Sequence, residues 1–549
     1  MQHASPNATV HQVLAGSLIK LGVSDLFGLV GDANLFMVKS YIETGHGRYI
    51  PLTHEANAVL AAVGYAQVSG RIGVATITHG PALTNVVTAL VEGVRAGVPL
   101  VVLCGDTPPG DLQHLQNIDQ REVVASTGAG FVEMRAPHTA VVDLERAFRL
   151  AAHQRRPVVF NMRVDLQWQV ADAGQPSPVL PPELPRASAA FEPLEEAAGM
   201  LASARRPLIL AGRGAISAEA RDAILALARR IEAPVATTLK AQGLFDGEPF
   251  NLGICGGLSH PAAIDAIMKS DCILAFGASL SKHTTENGAY LQGKRVIQIL
   301  PDIQENFRMD RPDLQLIGDP ALTANAIVKL LDMAEIPGSG ATDEDLRAAL
   351  EAEARNFAVL PAAGVTAPGT VDMAWALRRL HQALPEDRVL VADLGRFVTT
   401  AWRNLPVNNP LNLVYTCHFG GIGCGLGQLV GAATAADGRK TVLVAGDGGF
   451  LLSGLGELAT LKRQNANTVI IVCNDGSYGA EHVQLASRGM DVAVSMIDPP
   501  DFAAVAAAMG LRAQRVSDAD SLARAAALVK ESSDPVLIDL RLDADKIEM

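Results

Sequence analysis

The stretch TVLVAGDGGFLLSGLGELATLKRQNANTVIIVCNDGSYG, residues 441–479, decides the fold. A β-branched run, Thr441–Ala445, ends in Gly446-Asp447-Gly448-Gly449. A helical segment follows, and a second apolar run, Thr468–Cys473, ends in Asn474-Asp475-Gly476. Two such strands joined by a helix run parallel, so both strand ends lie on one edge of the sheet. Asp447 and a side chain from Asn474 or Asp475 then meet at one hard cation. The glycines let backbone approach phosphate, and the helix start after Gly449 favours negative charge. Oxygen ligands, diphosphate oxygens and water complete an octahedral Mg2+ site. Either turn alone is an ordinary strand end; the two on neighbouring strands point to a site.

The same alternation extends outward in both directions. RIGVATIT and PLVVLCGD before the middle of the chain, RPLILAG, DCILAFG and RVIQIL within it, and RVLVADLG after it read as strands. Helical runs such as EANAVLAAVGYAQVS and SAEARDAILALARRI lie between them. Continuous apolar strands alternating with helices predict an α/β protein with three consecutive doubly wound parallel-sheet domains. Two breaks separate them. Gly174–Pro193 carries five prolines before Arg186, and the stretch from about Ile336 to Thr370 opens on Pro337-Gly338-Ser339-Gly340 before one amphipathic helix. The expected domains are residues 1–175, 192–335 and 366–549, each of ordinary size. Ligands of such sheets bind past the carboxyl ends of strands, which directs attention to Gly105, Gly212, Gly277, Asp447 and Asn474.

Composition narrows the partners. The chain has 549 residues, with Lys+Arg 45 against Asp+Glu 58 and a net charge of −13. It has neither the excess nor the clustering of cations that phosphate contacts to nucleic acid need. The six cysteines are scattered without a C-x-x-C pair, as in proteins of a reducing compartment. The N-terminal residues lack a basic and apolar leader pattern. The longest stretch free of Asp, Glu, Lys and Arg, Leu411–Ala436, holds six glycines and polar side chains, unlike a membrane span. A cytoplasmic protein with no nucleic-acid or membrane partner is expected.

GDG followed by an Asn-Asn-like pair resembles the signature of thiamine-diphosphate-dependent enzymes, nearest to the acetolactate synthase, benzoylformate decarboxylase and pyruvate decarboxylase group. The resemblance implies aminopyrimidine-binding, central and diphosphate-binding domains in that order. It implies thiamine diphosphate and Mg2+ as cofactors, with Gly446, Asp447, Gly448 and Gly449 at the diphosphate. Aligned on Tyr478-Gly479, the metal ligands are Asp447, Asp475 and the Ser477 carbonyl; aligned on spacing from Asp447, they are Asn474 and the Gly476 carbonyl. The first alignment is preferred because an anionic oxygen suits Mg2+. Glu55, in THEANAVLAAVGYAQVSG, matches the glutamate that binds the aminopyrimidine and drives formation of the C2 ylid, and an apolar pocket that raises its pKa is expected around it. Without the resemblance Glu55 is only a helix N-terminal acid.

Further matches follow in order. Gly80-Pro81-Ala82-Leu83-Thr84-Asn85 resembles the family's GPG-x-x-N loop, with Pro81 and Asn85 at the cofactor. Leu115-Gln116-Asn117 resembles its F-Q-E segment. Phe419-Gly420-Gly421-Ile422-Gly423 resembles the loop that bends the cofactor, Ile422 acting as wedge and the Gly420 carbonyl accepting from the 4′-amino group. Gly395, in Asp393-Leu394-Gly395-Arg396, falls in a diphosphate-contacting loop, and Pro500-Asp501-Phe502 through Gly510 matches a family helix. His79, Gln116 and Glu481 are the substrate-side candidates, with His114 and His418 on nearby loops. Gly31-Asp32-Ala33-Asn34 makes the substrate pocket more polar than in acetolactate synthases.

The implied reaction is decarboxylation or carboligation of a 2-oxo acid through an enamine. The alternative is cleavage or hydrolysis of a C–C bond in a diketone or 2-hydroxyacyl compound. A third reading, a nucleotide-binding flavoprotein without catalysis, leaves Glu55 idle. The loop Gly212-Arg213-Gly214-Ala215-Ile216-Ser217 begins like a dinucleotide loop, so FAD binding and a vestigial empty site both stand open. The resemblance further implies a homodimer or homotetramer with active sites at the subunit interface.

Overall fold

The computed structural model describes residues 8–171, 177–182, 185–302 and 312–546. Parts of the proline-rich break therefore lie outside the described residues. Its strands fall into three six-stranded sheets.

The first sheet contains β1 (Asp25–Gly28), β2 (Arg48–Pro51), β3 (Gly73–Ile77), β4 (Leu100–Asp106), β5 (Gly130–Glu133) and β6 (Pro157–Arg163), ordered β2-β1-β3-β4-β6-β5. The second contains β7 (Pro207–Ala211), β8 (Val235–Thr237), β9 (Asn251–Ile254), β10 (Cys272–Phe276), β11 (Arg295–Leu300) and β12 (Leu314–Ile317), ordered β12-β11-β10-β7-β8-β9. The third contains β13 (Val389–Ala392), β14 (Leu413–Tyr415), β15 (Thr441–Gly446), β16 (Thr468–Asn474), β17 (Arg512–Val516) and β18 (Val536–Arg541), ordered β14-β13-β15-β16-β18-β17. The strands pair in parallel, for example β3 with β4, β10 with β11 and β15 with β16. Helices cross between them, as an α/β fold requires. The second break does carry its amphipathic helix, Glu344–Ala358.

Compactness divides the chain differently from sequence order. One unit is Met1–Glu183, Ala362–Leu405 and Val414–Met549; the other is Leu184–Pro361 with Pro406–Leu413. The first and third sheets thus share one body. Their common core runs from Phe27, Val59 and Leu90 to Leu426, Phe450 and Phe502. At its centre the helices Glu55–Ser69 and Gly425–Ala435 lie against each other. Both are apolar almost all round because both are buried almost all round. Gly64 faces the Gln428 carbonyl and Gly431 faces the Ala61 carbonyl, so a side chain at either position overlaps backbone of the partner helix. Five of the six cysteines are buried and all are free thiols. No helix among the described residues is long and apolar enough to cross a membrane.

Candidate functional site

Strand β15 delivers Asp447 and β16 delivers Asn474 to one sheet edge, in the register Gly446 to Cys473. Asp447 is 2 % exposed; its Oδ1 accepts from the Gly448 amide (2.8 Å) and its Oδ2 from the Gly476 amide (2.7 Å). Burial, and then the neighbouring Asp475 charge, push its pKa up to about 7. A carboxylate held under that strain is a natural cation ligand, because a metal supplies the charge that its surroundings lack.

The two candidates for the second ligand have different surroundings. Asn474 is fully buried, donates Nδ2 to Asp539 Oδ1 (2.9 Å), and has no partner for its Oδ1. Asp475 is engaged at both oxygens. Arg396 donates Nη2 (2.7 Å) and Nε (3.1 Å) to its Oδ2, and Ser477 donates its amide and hydroxyl to its Oδ1. That ion pair is almost wholly buried on both sides. Arg396 packs so closely on the Tyr478-Gly479 turn that a Cβ at Gly479 would sit 2.5 Å from its Nε. The Gly476 carbonyl accepts from the Ile497 amide (2.8 Å).

The loop beside this edge is pinned at one end by Asp393, which is fully buried and accepts from the Leu394 (2.8 Å) and Gly423 (3.0 Å) amides. Burial raises its pKa to about 6 against those hydrogen bonds. Gly420 and Gly423 have φ of +84° and +83°, so the loop turns twice through the left-handed region that glycine allows. Between them Ile422 is half-buried, and Gly449 comes so close that a Cβ there would lie 3.3 Å from the Gly423 nitrogen.

In the first sheet's domain Glu55 opens the helix Glu55–Ser69, capped by His54, whose ring accepts from the Ala56 amide (3.1 Å). Its carboxylate accepts from Asn85 Nδ2 (3.1 Å) and is half-buried rather than sealed in an apolar pocket. Pro81 begins the short helix that ends at Asn85. His79, just before it, is 1 % exposed, and burial lowers its pKa. Thr78 Oγ1 donates to Asp32 Oδ1 (3.1 Å) and lies 3.1 Å from His79 Nδ1. With the threonine proton committed to Asp32, His79 Nδ1 carries its proton towards Thr78. His79 Nε2, which has no partner, therefore presents a lone pair. The His114 ring is 5.0 Å away, and one ligand atom each from Asp32, His79 and His114 fit within 4.8 Å of one another. Gln116 backs onto Gly80, and its amide donates to His114 Nδ1 (3.2 Å). Glu481 is exposed on the first turn of the helix Gly479–Ala486, and Tyr478 before it is 44 % exposed.

Two participants were not singled out from sequence. Arg396 stood within a quoted motif, yet its partner is 79 residues away. Glu92 is an isolated acid in the apolar run TALVEGVRAG, and that contrast was the available signal. In the second sheet the amides of Gly212, Gly214, Ala215, Ile216 and Ser217 bond to Phe276, Gly277, Gly212, Arg213 and Ala215 carbonyls respectively. Those five amides are spent internally and offer no cradle to a dinucleotide phosphate.

Comparison with known proteins identifies all three domains. Residues 8–123 match the thiamine pyrophosphate enzyme N-terminal TPP binding domain, 194–327 the central domain and 393–540 the C-terminal TPP binding domain. The chain is 28 % identical to an acetolactate synthase of Mycobacterium bovis, covering 97 % of this chain and 88 % of that protein. It is 26 % identical to the acetolactate synthase isozyme 2 large subunit of Escherichia coli, covering 95 % and 93 %. It is 28 % identical to a "probable 2-ketoarginine decarboxylase" of Pseudomonas aeruginosa, covering 97 % and 94 %. With all three domain models matched in order along its length, the chain belongs to the thiamine pyrophosphate enzyme family.

Proposed function

We propose that the protein is a decarboxylase that protonates its intermediate, taking a 2-oxo acid with a polar side chain to an aldehyde. The observation that carries this reading is the buried, unpartnered His79 Nε2 beside Asp32, Thr78 and His114. A site that only joins two carbonyl compounds has less use for such a cluster, whereas replacing a carboxyl group by hydrogen needs a proton donor.

Mg2+ and the diphosphate fit the edge formed by β15 and β16. Asp447 would hold the cation, and the unpartnered Asn474 Oδ1 is the oxygen free to join it. Asp475 would share its oxygens between the cation and the donors Arg396 and Ser477, whereas the Ser477 carbonyl is a further candidate ligand. Gly395, Gly446, Gly448, Gly449, Tyr478 and Gly479 line this edge; Gly420 and Ile422 take the bend of the cofactor. When bound, thiamine diphosphate supplies the carbon nucleophile and electron sink for loss of carbon dioxide. Glu55, oriented by Asn85, would hold the aminopyrimidine and carry a proton at its carboxylate. Pro81 sets the turn that carries Asn85. His79 would take a proton from water at Nε2 and deliver it to the substrate carbon that carbon dioxide has left, with Thr78 and Asp32 orienting the ring through Nδ1. Gln116 positions the loop of His114, and Glu481 closes the substrate side.

The half-exposure of Glu55 supports a site completed by a second copy. So do the apolar residues bared on the site loops: Leu112 and Leu115 in one domain, Leu452 and Val494 in the other. A homodimer or homotetramer in the cytoplasm, with free thiols and no flavin phosphate at Gly212–Ser217, follows from this reading. Proton NMR with thiamine diphosphate, Mg2+ and a panel of 2-oxo acids, one bearing a guanidinium, tests it. Aldehyde as product supports the proposal. Hydroxyketone makes the protein a synthase. Cofactor bound with no 2-oxo acid consumed transfers the activity to cleavage of a diketone or 2-hydroxyacyl compound.

A further inference from the structure

The segment leading into the Gly420–Ile422 loop is held by a residue of the other domain. Glu92, fully buried on the helix Val87–Ala96, reaches across the shared core to His418 and Phe419. Its Oε2 accepts from the Phe419 amide (2.7 Å). Its Oε1 accepts from the His418 amide (3.3 Å) and lies 2.8 Å from His418 Nδ1. The Arg95 guanidinium stacks over the Phe419 ring at 4.6 Å, and the Tyr415 ring meets His418 edge-on at 4.8 Å. At the far end of the loop Asp393 holds Gly423. Two buried carboxylates from two domains therefore fix the two ends, and the exposed or half-buried tip Gly420–Ile422 stands between them. Such a carboxylate earns its burial only if its donors stay in place, since each is costly to leave unmet.

We propose that Glu92 is a positioning residue for the cofactor: it sets the height and direction of the Gly420–Ile422 loop, so that docking of the first domain on the third pre-forms the bend the cofactor requires. The inference rests on the assignment of that loop to the cofactor, and the tests separate the two. In Glu92→Gln the amide group faces an N–H donor where an acceptor stood, while the volume is unchanged. Hydrogen exchange of the cofactor-free protein should show faster exchange at residues 415–421. Thiamine diphosphate titration of the apoenzyme with Mg2+, followed by intrinsic fluorescence, should show affinity weakened about tenfold or more. Asp143→Asn is the control. Asp143 is buried in the same domain, accepts from Arg135 and Thr139, and touches nothing in the loop. It should lower thermal stability but leave cofactor affinity within about twofold, whereas His418→Gln should weaken the cofactor by less than Glu92→Gln. Unchanged exchange in Glu92→Gln overturns the proposal. So does faster exchange with unchanged affinity, or an equal loss of affinity in Asp143→Asn. Failure of the unaltered protein to bind thiamine diphosphate instead overturns the assignment of the loop.

Discussion

Replacing Gly431 by Ala tests the contact on which the shared core turns. A Cβ at Gly431 would overlap the Ala61 carbonyl oxygen and lie 2.5 Å from its carbon and 2.8 Å from the Tyr65 nitrogen, all backbone atoms of the helix Glu55–Ser69. Ordinary carbon contacts need about 3.5–4.0 Å, so the two helices must part by more than about 1 Å, and no rotamer change can absorb it. Alanine gains about 0.5–1 kcal/mol over glycine within a helix. Overpacking costs about 1–3 kcal/mol, and rigid backbone on both sides places this site at the upper end. The expected net loss is about 2–2.5 kcal/mol. Gly16→Ala provides the opposite sign, because Gly16 sits in the helix Val10–Lys20 with nothing within 4 Å of its would-be Cβ. That variant should gain about 0.5–1 kcal/mol. Thermal unfolding of both variants at one scan rate reads the difference. The same displacement moves Glu55, which begins one helix, against the loop that precedes the other. Turnover of Gly431→Ala should therefore fall by about a hundredfold beyond any loss of folded protein. A Gly431→Ala protein that melts at or above the parent, in step with Gly16→Ala, would refute the packing argument.

Three further outcomes are expected. Glu55→Gln should fold normally and bind cofactor but lose about 10²–10⁴ in kcat, measured by carbon dioxide release; near-normal turnover would remove its proton-transfer role. Mg2+ affinity should fall about tenfold per pH unit below pH 7 and level off above it, because a proton competes for Asp447, whose pKa burial raises from 3.8 to about 7. By the same shift, the metal-free protein loses stability as pH rises from about 4 through 7, since its folded state prefers the protonated carboxyl, and Mg2+ restores it; titrations of constant affinity across that range would refute this. In the same experiments Asn474→Ala should weaken Mg2+ more than Asp475→Asn. His79→Asn should lower kcat/KM for decarboxylation while leaving cofactor affinity unchanged, and an equal loss in both would move His79 from substrate to structure.

Much of this protein was determined by sequence alone. Apolar β-branched runs alternating with helices specify parallel sheets, because a strand buried on both faces must be apolar throughout. The run from Thr441 to Gly479 placed Asp447, Asn474 and Asp475 on one edge through spacing alone. Sequence favours Asp475 over Asn474 as the second ligand because of its anionic oxygen; it could not show that Asp475 pairs with Arg396, 79 residues away, or that the Asn474 Oδ1 has no partner. Nor could it reveal that Glu92 reaches His418, 326 residues on, or that the first and third sheets share one core while the middle one stands in another unit. Local propensity acts over a few residues, whereas buried charges find partners only after the chain has closed distances that no periodicity encodes.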